Sequence, residues 1–105
     1  MIHHLVLFKL KPEVTNGTLE MMMRETRSRL LKISSALTVK CGKAIDPTGE
    51  WGFFLSVDVE SMEKLALYRE DGLHLKFVEE IIRPNTCGRL VVDFEMDPGK
   101  NIRFS

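Results

Sequence analysis

Apolar residues recur along this chain with two periods, every second position in four short stretches and every third or fourth position in the segments between them. The first stretch, Ile2 to Lys11, places Val6 and Phe8 on one face and Leu5 and Leu7 on the other. A strand apolar on both faces is covered on both faces. Pro12 ends it. Thr15 or Asn16 can cap a helix in which Leu19, Met23, Thr26, Leu30 and Ile33 form the apolar stripe. Leu37 to Ile45 alternates, with Leu37, Val39 and Cys41 inward, and predicts a half-buried strand. Asp46-Pro47-Thr48-Gly49 is turn chemistry, so Trp51 to Val59 follows as the second arm of a hairpin.

Ser61 caps a further helix carrying Met62, Leu65 and Tyr68, which Gly72 interrupts before a second helical stretch from about Leu73 to Arg83. Pro84 and Asn85 stop that stretch. Arg89 to Met96 reads as the last strand, and residues 96–105 as a polar tail whose Ile102 and Phe104 dock somewhere. The order β-α-β-β-α-β predicts an α+β, ferredoxin-like fold: one antiparallel four-stranded sheet with its helices on one face. The other face still needs cover for Leu5 and Leu7. A second copy of the chain supplies it most simply, giving a symmetric homodimer. Cys41 and Cys87 would then lie on opposite sheet edges, too far apart to bond within one subunit.

Composition narrows the field more than it directs it. The 105 residues suit one domain, residues 1–105, and 44% apolar content suits a packed core. Fifteen basic and fifteen acidic residues cancel and are scattered, which argues against a nucleic-acid or anionic-membrane partner. No run reaches the ~20 apolar residues of a membrane span, and the first residues lack a signal-peptide pattern. A cytoplasmic protein with reduced, packed cysteines is the expectation. Neither cysteine has metal-ligand spacing to the other or to a histidine, so no metal or cofactor is expected.

Three residues offer chemistry. His4 stands in the lane Ile2, His4, Val6, Phe8, Leu10, and His74 on the helical face His74, Phe77, Val78, Ile81. A polar ring among apolar neighbours must find partners or cost stability. Tyr68 brings a hydroxyl to the same side of the sheet. Taken singly, each reads as a core polar group satisfied locally. Together they converge between sheet and helices and mark a pocket, with Val6, Phe8, Met23, Leu65, Phe77 and Val78 as its apolar walls. His3 points to the opposite face of the strand, away from that pocket.

The opening Ile2-His3-His4-Leu5-Val6-Leu7-Phe8-Lys9, the Tyr68 to His74 segment and Arg89-Leu90-Val91-Val92-Asp93-Phe94-Glu95 resemble the stress-responsive A/B barrel domain family over nearly the whole chain. The resemblance implies a dimeric α+β barrel. Plant relatives include stress-induced proteins and a cofactor-free polyketide cyclase, and the resemblance implies that the cyclase's catalytic histidine, tyrosine and second histidine fall on His4, Tyr68 and His74. Family members often carry a His-Pro pair just before the second histidine, where this chain has Asp71-Gly72. The expected role is to hold a small, largely apolar molecule. The alternatives are cofactor-free proton transfer, with His74 as base and Tyr68 as oxyanion donor, or a cofactor-free monooxygenase using Trp51.

Overall fold

A computed structural model describes residues 1–97; the expected docking of Ile102 and Phe104 lies outside the described residues. The elements run β1 (Ile2–Leu10), α1 (Asn16–Leu30), β2 (Thr38–Lys43), β3 (Phe53–Val59), α2 (Met62–Glu70), α3 (Gly72–Phe77), a π-helical turn (Val78–Ile82) and β4 (Thr86–Glu95). The sheet order is β2-β3-β1-β4, with every pairing antiparallel. β1 is therefore interior, bonded along one edge to β3 and along the other to β4. Cys41 and Cys87 lie on the two edge strands and are both free, as the topology predicts.

Alternation along β1 sorts the core. His4, Val6 and Phe8 are buried under the helices with Phe53, Leu55, Val57 and Val59 of β3. On α1 the innermost residues are Met22, Thr26 and Leu30, one turn apart, followed by Ile33. Met23, expected on that stripe, is only half-buried at the helix edge, where its carbonyl accepts a hydrogen bond from the Cys41 thiol at 3.4 Å. The buried Thr26 hydroxyl donates to the Met22 carbonyl at 2.7 Å, which removes the penalty of its burial. Thr15 provides the cap, its hydroxyl accepting from the Thr18 amide.

The hairpin is shorter than its alternation suggested. The β2–β3 ladder runs from Thr38↔Asp58 to Lys43↔Phe53, leaving Leu37 and Ile45 exposed and Trp51 outside the strand. Asp46 builds the turn beyond it, its carboxylate accepting from the Thr48 amide at 2.9 Å and hydroxyl at 2.7 Å. Trp51 lies under the Lys9 ammonium, 5.2 Å from its ring centroid.

The break in the second helical region falls at Asp71, one residue earlier than Gly72 suggested. Asp71 is extended (φ −61°, ψ 134°) and its carboxylate accepts from the Leu73 amide at 2.8 Å, so it caps the restarted helix. Gly72 is already helical, has no positive φ, and has open space where a Cβ would stand. Its freedom is not used. Replacing Gly72 by Ala is expected to raise stability by about 0.4–1 kcal/mol through the unfolded chain, whereas Asp71→Ala lowers it by about 1 kcal/mol. Chemical denaturation of the two variants against the parent checks both signs.

The sheet's second face carries Leu5, Leu7, Phe54, Leu90, Val92 and Phe94, as the pairings Leu5↔Val92, Leu7↔Leu90 and Leu7↔Phe54 require. Leu90 and Phe94 are 44% and 50% exposed. His3 stands at the end of this face, its Nδ1 2.6 Å from the Asp58 carboxylate, which also accepts from the Thr38 hydroxyl.

Candidate functional site

Between the helix-side face of the sheet and the α2–α3 segment lies a cavity of about 400 Å³. Its floor comes from β1, β3 and β4: His4, Val6, Phe8, Leu55, Arg89 and Val91. Its roof comes from Tyr68, Arg69, His74, Phe77, Val78 and Ile82. All three expected reactive residues line it, and so do Val6, Phe8, Phe77 and Val78. Two expected wall residues do not. Leu65 is fully buried in the core, and Met23 is half-buried on α1, packed against the core but off the cavity wall. Helical spacing placed them on inward faces, but it could not say which inward residue borders empty space.

His4 is held by a partner that apolar alternation does not reveal. Asp93, opposite it on β4, meets its Nδ1 at 2.5 Å, and the second carboxylate oxygen accepts from Arg69 at 3.2 Å. A carboxylate at Nδ1 fixes the ring and leaves Nε2 as its other polar atom. The signal was present. Arg89, Val91 and Asp93 alternate with the open-face lane of β4, and antiparallel pairing sets Asp93 against His4.

The helix break positions His74. Ending α2 at Glu70 frees carbonyls of its last turn. The Asp71 amide donates to the Tyr68 carbonyl at 3.3 Å, and His74 Nδ1 donates to that of Arg69 at 3.0 Å. Since a carbonyl only accepts, Nδ1 carries the proton of the neutral ring and Nε2 is left with its lone pair. Burial lowers the His74 pKa below the ordinary histidine value, against the raising effect of the Arg69 carbonyl. The ring is thus neutral near pH 7.

Tyr68 stands between the histidines, its ring centroid 6.1 Å from that of His4 and 4.7 Å from that of His74. Its side chain is fully buried, and its hydroxyl has no hydrogen-bond partner among the described residues. A buried hydroxyl without a partner costs about 1–3 kcal/mol. Burial also raises its pKa well above that of free tyrosine, keeping the proton available for donation. No group of three His, Cys, Asp or Glu side chains among the described residues is arranged to hold a metal ion. Trp51 is not on the cavity wall.

An antiparallel β2-β3-β1-β4 sheet with its helices on one face defines the α+β ferredoxin-like class. Within that class, residues 2–96 match the family model of the stress-responsive A/B barrel domain, and the chain belongs to that family. No curated protein matches it. Among solved structures, it is similar to a dimeric ferredoxin-like protein of unknown function from Bacteroides fragilis NCTC 9343, at 22% identity and TM-score 0.74, over 90% of this chain and 95% of that one. A Dabb-family protein of ferredoxin-like fold from Mesorhizobium loti aligns at 20% identity and TM-score 0.78, over 90% and 95%. A hydroxynitrile lyase from Passiflora edulis aligns at 11% identity and TM-score 0.77, over 95% and 96%.

The lowered His74 pKa has a consequence for stability. Below about pH 6.5 the unfolded chain protonates this histidine while the folded chain resists, so unfolding takes up a proton. Stability contributed by neutral His74 is therefore complete above about pH 6.5 and falls as pH drops toward the lowered folded value. Denaturation series from pH 7.5 to 5 are expected to show a shallower loss for His74→Gln than for the parent chain.

Proposed function

We propose that this protein is a homodimer that takes a small, largely apolar molecule into the cavity and moves a proton on it without a cofactor. The observation that carries the reading is the unpartnered Tyr68 hydroxyl, buried in the cavity between two oriented histidines. On a substrate with a carbonyl, Tyr68 would donate its hydrogen bond to the carbonyl oxygen. His74 Nε2 would take the proton from the adjacent carbon, the C–H electron pair moving to form an enolate whose charge Tyr68 stabilises. His4, steadied by Asp93, would orient the substrate or return the proton to it. The largely apolar walls favour an apolar substrate body, and two free cysteines on opposite sheet edges fit a reducing, cytoplasmic setting.

Acetophenone, a small apolar ketone, provides a direct test. Wild-type protein is expected to accelerate exchange of its methyl protons with deuterium, followed by proton NMR. His74→Gln should reduce that acceleration by about 10²–10⁴-fold and Tyr68→Phe by about 10²–10³-fold. Exchange that is unchanged in both variants would leave the cavity a binding site only.

The homodimer is supported by the apolar open face of Leu5, Leu7, Leu90, Val92 and Phe94, and by the dimeric state stated for the Bacteroides fragilis relative. Placing a charge at its centre with Leu7→Glu is expected to shift the sedimentation mass at micromolar concentration from two subunits to one. A parent chain that already sediments as one subunit would sink this assembly.

A further inference from the structure

The cavity has a second polar end. Arg89 lines its wall opposite Phe8, four residues along β4 from Asp93 and so roughly 13 Å from the His4 end. Arg69, the other arginine on the wall, is committed to Asp93. Arg89 has neither an ion pair nor a side-chain hydrogen bond among the described residues. The acidic side chains of the overlying π-helical turn are taken, Glu79 by Arg83 at 3.4 Å and Glu80 by Arg29 at 2.6 Å. The guanidinium is exposed, while its neighbours on the wall, Phe8, Val78, Ile82 and Val91, are apolar.

We propose that Arg89 selects the ligand: an elongated molecule with an apolar body and a single carboxylate, the carboxylate on Arg89 and the far end beneath Tyr68 and His74. The inference deepens the proposed function and rests on the cavity being a ligand site. A guanidinium matches a carboxylate in a two-point hydrogen-bonded pair, and with one uncommitted arginine the cavity matches one negative charge. The separation of the two polar ends calls for a long ligand rather than a compact one. The free Tyr68 hydroxyl at the inner end is the second unmet polar group along the same path.

Calorimetric titration with decanoate and 1-decanol tests the assignment, because the two share an apolar chain and differ in the head. Wild-type protein is expected to bind decanoate about tenfold more tightly than decanol, the worth of one charge-assisted contact. Arg89→Gln should erase that preference while leaving decanol affinity within about twofold. Arg89→Lys should keep part of the preference, and Arg24→Gln all of it, since Arg24 is exposed on α1 and lines neither this cavity nor the cleft beside Arg89. Equal affinity of the two probes on the wild type, or a preference that survives Arg89→Gln, overturns the role of Arg89 and leaves the binding cavity standing. Failure of both probes to bind overturns the cavity reading as well.

Discussion

Strand β1 must satisfy two faces and two edges at once, and the positions of everything else follow from its register. Its adjacent histidines mark the two faces. His3 meets Asp58 of β3 on the open side, and His4 meets Asp93 of β4 on the helix side. A one-residue slip would exchange the two lanes, turning Val6 and Phe8 outward and separating both histidines from their carboxylates. Each pair bridges β1 to a different neighbour, so together they tie three strands in one alignment. Apolar alternation alone would tolerate such a slip better here than in most sheets, because both lanes of β1 are apolar. The polar pairs supply the discrimination that hydrophobicity lacks.

From that alignment the site assembles with little further instruction. Asp93 serves as the partner of His4 and as the anchor of Arg69, linking the sheet to the end of α2. The carbonyl of Arg69 in turn receives His74. The result is a continuous chain of contacts from floor to roof around one side of the cavity. Tyr68, inside that frame, is the member without a partner among the described residues. Because its neighbours His4, Asp93, Arg69 and His74 are all partnered, the one buried donor without a partner is informative.

The fold was legible in the sequence wherever period and capping agreed. Thr15 and Ser61 cap their helices, the strands appear in the expected order, and the edge positions of the cysteines follow from topology. Boundaries were less legible. Leu37 and Ile45 continue the alternation of β2 chemically, yet the ladder ends where its partner β3 ends. His4, Tyr68 and His74 are visible in the sequence as polar interruptions of apolar lanes. Their supports are not, because Asp93, Arg69 and Arg89 look like ordinary surface charges until the β1–β4 pairing and the helix break bring them to the cavity. Met23 and Leu65 show the converse, since an inward-facing position need not border the cavity.

The restart at Asp71 separates the cavity into parts with different freedom to change. Its floor is woven into the sheet, where backbone pairing along β1, β3 and β4 holds the form. The part of its roof that follows α2, from Gly72 to Ile82, begins at one side-chain cap and closes with a widened π turn. Insertions or exchanges near that cap would raise, lower or tilt the roof while the floor keeps its form. The cavity's shape can thus be rewritten within eleven residues, leaving the remainder of the molecule as an inherited platform.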